Sequence, residues 1–215
     1  MIRAVSGPGD PRFPGGPPVV PFVPGPATTQ PLGDLRSRVY DQLLTRRTVL
    51  LDRALDGETA TFVTAQLMTL DADGDEPVEL LVNSPGGPLD AAGAVLDTID
   101  LMRVPVGTVC LGQATGTAAI VVASGTGRRR AGTTARLQLR FPQIEVSGPA
   151  SRLAEEVAGL SRLHDALVAR LAAATGQTRA FVERDIERGR MLSGEEAVAY
   201  GLVDELVSAR DRGGH

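Results

Sequence analysis

The sequence predicts an α/β fold built on βαβ crossovers. Short apolar runs of strand length alternate with helical patterns, and the alternation recurs about every 25 to 30 residues. Bulk composition agrees. The chain has 215 residues, 42% of them hydrophobic and 22% charged, as expected of a globular domain with a sizeable core. No internal repeat is visible.

Taken in order, the elements begin after a tail. Residues 1–33 are dense in proline and glycine, as in Pro14-Gly15-Gly16-Pro17-Pro18 and Val23-Pro24-Gly25-Pro26. Such a stretch lacks the donors and periodicity for helix or sheet, and reads as a disordered arm with polyproline character. A folded domain is expected over 34–208, with a flexible C-terminal tail over 209–215. Thr48-Val49-Leu50-Leu51 suits a buried strand. Asp56-Gly57-Glu58-Thr59 opens a helix expected to turn Phe62, Ala65, Gln66 and Met68–Leu70 inward. Val78–Val82 is a second strand, ending in the turn Asn83-Ser84-Pro85-Gly86-Gly87. Ala91–Met102 is helical, with Ala94, Val95, Ile99 and Met102 spaced for one face. Val106–Leu111 is a third strand, Gly116–Ala123 a helix of small residues, and Ala135–Phe141 a further strand. A long amphipathic helix runs from Ser151 to about Ala174, stopped at Thr175-Gly176. Two short helices and a terminal strand around Leu202–Val207 complete the chain.

Charge and cysteine usage exclude several classes. The net charge of −4 and pI near 5.3 provide no field for nucleic acid or anionic lipid. All 22 basic residues are arginine. The lone Cys110 rules out an internal disulfide and a multi-cysteine zinc site, and its apolar surroundings point to a buried structural thiol. No metal or other cofactor is expected. No run reaches the ~18 apolar residues of a membrane span, and Val19-Val20-Pro21-Phe22-Val23 is too short and proline-broken for a signal peptide. A cytoplasmic protein is the expectation.

Three segments point to chemistry. The Pro85-Gly86-Gly87 turn lies between a strand and a helix, where backbone N–H groups can face a developing oxyanion. Gly112-Gln113-Ala114-Thr115-Gly116-Thr117 forms a second strand-to-helix elbow, the place where a nucleophile stands exposed in many hydrolases. The third is the long run Glu183–Asp204. Four blocks in order, Asn83–Gly87, Cys110-Leu111-Gly112-Gln113-Ala114, Thr175-Gly176-Gln177 and Leu192-Ser193…Glu196-Ala197-Val198-Ala199-Tyr200-Gly201-Leu202-Val203-Asp204, resemble the ClpP family of proteolytic subunits of ATP-dependent Clp proteases. The resemblance covers residues 38 to 208, with a single-residue gap near Gly127. It implies a ClpP/crotonase-like fold of repeated ββα-type units with a protruding handle helix, and stacked rings docked to a hexameric AAA+ unfoldase.

The family's elbow reads Gly-Gln-Ala-Ala-Ser-Met-Gly, and its serine falls on Gly116 here. The general-base histidine falls on Arg140, and the aspartate on Gly189. A glycine has no Oγ, and an arginine stays protonated, so the inherited mechanism has no nucleophile and no base. Loss of such a triad costs about 10⁶ in turnover in subtilisin. Thr115 and Thr117 flank the empty position but point elsewhere, while His164 lies mid-helix and His215 ends the chain. Gly87 and Thr117 occupy the family's oxyanion-hole positions. Arg188 matches an arginine that pairs rings, and Arg152 stands where its acidic partner is usual. Two like charges there favour mixed rings with an active paralogue. Unfoldase docking falls on Glu79, Leu81 and Leu101, where aromatics are usual, and a carboxylate in such a pocket weakens docking.

The resulting expectation is a catalytically silent subunit that assembles into or regulates a Clp complex with itself or an active paralogue. The alternatives are a serine peptidase with a non-standard nucleophile and a crotonase-like acyl-CoA binder. The latter lacks a paired carboxylate near the elbow and an evident CoA phosphate site.

Overall fold

A computed structural model describes residues 32–142 and 150–207, with side chains placed for 37–142 and 154–207. The predicted arm, except its last two residues, and the predicted tail over 209–215 lie outside the described residues. Two short strands, Arg129–Gly132 and Met191–Ser193, and one helix, Leu32–Leu44, that the sequence pattern did not separate appear beside those expected. The order is α1 (Leu32–Leu44), β1 (Thr48–Leu51), α2 (Gly57–Ala72), β2 (Val78–Ser84), α3 (Leu89–Leu101), β3 (Val106–Thr115) and α4 (Thr117–Ala123). Then follow β4 (Arg129–Gly132), β5 (Arg136–Gln138), α5 (Ala150–Thr175), α6 (Arg179–Glu187), β6 (Met191–Ser193), α7 (Gly194–Tyr200) and β7 (Glu205–Val207).

The fold is α/β, as the sequence predicts. Strands β1-β2-β3-β4-β7 form a parallel sheet in that order, while β5 pairs in parallel with the far end of β3 and antiparallel with β6. Each parallel step is bridged by a helix, which is what the strand–helix alternation requires. Along β1 and β2 burial alternates: Val49, Leu51, Val78, Leu80 and Val82 are enclosed, whereas Glu79 and Leu81 lie on the half-exposed face. One face of the sheet is therefore covered by α2, α3 and α4, and the other is left partly open among the described residues, with Glu79 and Leu81 half-exposed beside a buried Val109.

Two helices turn differently from the expectation. In α2 the inward residues are Ala60, Val63, Gln66, Leu67 and Leu70, while Phe62, Ala65 and Met68 face outward. Apolar residues occur on both sides of this helix, so periodicity alone could not choose the buried side. Asp56 caps the start of the helix, accepting from Thr59 N at 2.8 Å, and packing against α3, β1 and β2 sets the buried side. In α3, Ala94 likewise faces out, and Ala92, Val95, Leu96 and Ile99 form the core side. The expected strand over Ala135–Phe141 shortens to the three residues of β5.

Helix α5 is docked over half its length. Leu167, Val168 and Leu171 are buried. Arg170 clamps Asp100 of α3 with two bonds of 2.6 and 2.7 Å and donates to Ser124 Oγ at 2.8 Å. Towards its N-terminus the described residues Ala154 to Ala158 are all exposed, so no face of that part is covered. This is the geometry of a handle.

At the opposite end, Arg129 gathers the termini of three helices. Its Nη1 donates to the carbonyls of Ala123, Ala174 and Gly201 at 3.2, 2.8 and 3.1 Å. Its Nε meets Asp204 at 3.1 Å, and the Arg129 N–H donates to the same carboxylate at 2.8 Å. The guanidinium bonding holds the Asp204 carboxyl below the usual carboxylate range. A depressed carboxyl stabilises the fold above its unfolded pKa of about 4, and that contribution is lost as pH falls through the lower folded value. Arg129→Ala is expected to cost about 2–4 kcal/mol and lower the melting temperature by roughly 5–15 °C in calorimetry. Asp204→Asn should flatten the acid limb of stability below pH ~4.

Candidate functional site

The three positions that the resemblance marks for a triad come together at the ends of β3, β5 and α6. Gly116 closes β3 with φ 60° and ψ −121°, a backbone conformation that L side chains rarely adopt. Its N–H donates to the Gln138 carbonyl of β5 at 2.8 Å, and its own carbonyl accepts from Ala119 N at 3.1 Å to start α4. The space a side chain would need is occupied. A Cβ on Gly116 would stand 2.6 Å from the Arg140 carbonyl oxygen, which is backbone and cannot swing aside.

The Pro85-Gly86-Gly87 turn is held equally closely. Gly86, at φ 81°, would bring a Cβ to 2.3 Å from the Thr115 carbonyl, and Gly87 to 2.0 Å from the Leu55 carbonyl. Both glycines are thus needed for the turn to nest between β3 and the β1–α2 connection. Ser84 Oγ donates to the Arg53 carbonyl at 2.6 Å and accepts from Gly86 N at 3.1 Å. The Gly87 N–H, one of the two expected oxyanion donors, is directed at Thr117 Oγ1 at 2.8 Å, and that hydroxyl lies 3.1 Å from the Gly87 carbonyl. Thr117 is fully buried. Its hydroxyl is committed to the turn, and it holds the donor that would face a developing negative charge.

Gly189 lies at the C-terminal side of α6 with φ 62°. Its carbonyl accepts from Gln138 Nε2 at 3.1 Å, and a Cβ there would sit 4.0 Å from Arg140 Cδ. Arg140 is exposed and stands between two shallow cavities, one of about 200 Å³ beside Gly87, Gly116 and Thr117, the other of about 400 Å³ beside Glu187, Arg188 and Gly189. The neighbouring Phe141 receives His164 of α5 edge-on, with ring centroids 4.6 Å apart. Cys110 is fully buried, and burial pushes its thiol up to about 12, far from a reactive thiolate. His215 lies outside the described residues.

The remaining sequence candidates fall on two surfaces. Arg188 is exposed beside Gly189; Arg152 belongs to α5, with its side chain outside the described residues. Leu101 is 82% exposed at the end of α3, and Leu81 is half-buried on the open sheet face. Glu79 does not stand alone there. It forms an ion pair with Arg130 of β4, crossing β3 beside Gly107, which has no side chain to intervene. Arg130 was missed in the sequence because β4 is only four residues long. Once β4 is placed its parity accounts for the pair, since Ala131 faces the core and Arg130 therefore faces out.

Comparisons with known proteins come down on one family. The sequence model of the Clp protease family matches residues 33–210. The chain is 38% identical over 181 residues to the ATP-dependent Clp protease proteolytic subunit 4 of Rhodococcus jostii (strain RHA1), covering 83% of this chain and 93% of the relative. It is 35% identical over 173 residues to the ATP-dependent Clp protease proteolytic subunit 2 of Frankia casuarinae, with 80% of each chain covered.

The glycine at 116 yields a test with an internal control. Gly116→Ser meets both a positive φ and the Arg140 carbonyl, and is expected to destabilise by about 2–4 kcal/mol. Gly176→Ser has a similar φ of 70° with nothing within 4 Å, and should cost only about 1 kcal/mol. Urea denaturation of the two variants compares them directly; equal losses would show that the carbonyl yields.

Proposed function

The chain belongs to the Clp protease family, and on that premise we propose that it is a non-catalytic subunit that assembles into, or regulates, a ring-shaped ATP-dependent Clp serine protease complex. The observation that carries this reading is the filled space at Gly116. There is no nucleophile at the elbow, and the Arg140 carbonyl stands 2.6 Å from where its Cβ would be. Arg140 in place of a base and Gly189 in place of its orienting carboxylate leave nothing to generate one. The Gly87 N–H bonded to Thr117 Oγ1 weighs the same way, since an oxyanion would have to displace an existing hydrogen bond.

What the relatives' names describe, a proteolytic subunit of an ATP-dependent Clp protease, supplies the complex in which such a subunit would act. The exposed N-terminal part of α5 supports ring stacking through the handle, and Arg188 is exposed as well. Arg152 and Arg188 as like charges favour mixed rings with an active paralogue over rings of this chain alone. The Glu79–Arg130 pair on the open sheet face would have to be desolvated by an apolar docking loop, which favours weak unfoldase docking. The reading places the complex in the cytoplasm; no helix among the described residues is long and apolar enough to cross a membrane.

Two measurements test it. Purified protein should show no turnover of fluorogenic peptides and no labelling by a fluorophosphonate; labelling at any Ser or Thr would overturn the silent-subunit reading. Native mass spectrometry of the complex from its source cells should show this chain in a multi-subunit ring together with a triad-bearing relative. A solitary monomer would sink the assembly role.

A further inference from the structure

Helix α2 is apolar on the side that faces away from the core as well as on the side that faces it. Phe62 is 50% exposed there and meets Tyr40 of α1 edge-on, with ring centroids 5.8 Å apart. Between the two helices lies a cleft of about 800 Å³ whose apolar wall is Tyr40, Leu50, Phe62 and Ala65. An aromatic-lined groove of this size is large enough for several side chains. Its rim carries Asp52, Asp56 and Glu58 against one cation, Arg53.

The start of α1 identifies what fits. Residues 1–31 lead directly into Leu32, and Tyr40 sits eight residues further along α1, about 12 Å at 1.5 Å per residue. The run Val19-Val20-Pro21-Phe22-Val23 ends nine residues before Leu32. Nine extended residues span up to roughly 30 Å, more than the distance back to Tyr40. Prolines flank and interrupt this run, so its backbone is preset for the extended polyproline conformation that aromatic grooves recognise at low ordering cost. Arg3 and Arg12 against Asp10 give residues 1–31 a net positive charge, carried upstream of the uncharged Val19–Val23 and opposite in sign to the rim.

We propose that the cleft between α1 and α2 is an intramolecular docking site for the Val19–Val23 segment of the chain's own N-terminal arm, with Phe22 as the anchor against Phe62 and Tyr40. The contact lies within one chain. It covers the outer stripe of α2 and fixes the course of the arm along the first helix.

Disulfide trapping in the full chain tests it. Cys110 is buried, so a paired Val20→Cys and Ala65→Cys variant carries two reporting thiols. Under mild diamide oxidation it should form an intrachain bridge at least 10-fold faster than Val20→Cys paired with Ala169→Cys on the exposed side of α5. Adding Phe22→Asp should abolish that advantage. Separately, alkylation of a lone Ala65→Cys by iodoacetamide should accelerate about 10-fold when Phe22→Asp is introduced. Equal bridging rates at 65 and 169, bridges only between two chains, or an alkylation rate unmoved by Phe22→Asp would each overturn the assignment; the second would identify another copy as the occupant.

Discussion

The position of Gly116 depends on how β3 divides between two neighbours. Its first half pairs with β2 and β4, but beyond Cys110 it leaves β4 and runs beside β5. The divergence is made by an irregularity opposite Val82–Ser84, where Gly112 adopts φ 82° and Asn83 Oδ1 accepts from Gln113 N at 3.3 Å. This bend delivers the Thr115 carbonyl over Gly86 and the Gly116 N–H to Gln138. The Pro-Gly-Gly turn, the elbow and the end of β5 are consequently packed backbone on backbone, and glycines stand wherever two main chains approach most closely.

Arginine does much of the joining elsewhere. Arg129 collects three helix carbonyls. Arg47, the one described non-glycine residue at positive φ (54°), caps the end of α2 by donating to the carbonyls of Leu70, Gly74 and Glu76 at 2.9, 3.3 and 2.9 Å. A planar fork with five donors suits this task in a way an ammonium does not, since helix C-termini present several unsatisfied carbonyls at once. In a chain whose basic residues are all arginine, the same side chain serves as helix cap, strand bridge and ion-pair partner.

Much of this was legible in the sequence. The parallel strands β1, β2 and β3, the two glycine turns and the long α5 follow from apolar runs and punctuation, and the family from four spaced motifs. The misses share a cause. Phe62 and Met68 were assigned inward because α2 is apolar all round, and only a tertiary partner sets its phase. Strands β4 and β6 are too short to show alternation. Arg130 and the Thr117–Gly87 bond are contacts between elements distant in sequence, for which composition and periodicity carry no signal.

The carbonyl above Gly116 also decides which side chains this site can accept. A serine placed there first would meet main chain rather than a base, so β5 would have to shift before any side chain at 116 could persist. A histidine placed at 140 would change the side chain and leave that carbonyl where it is. Neither single substitution by itself clears the space at 116. Backbone, unlike a side chain, cannot vacate that space by changing rotamer.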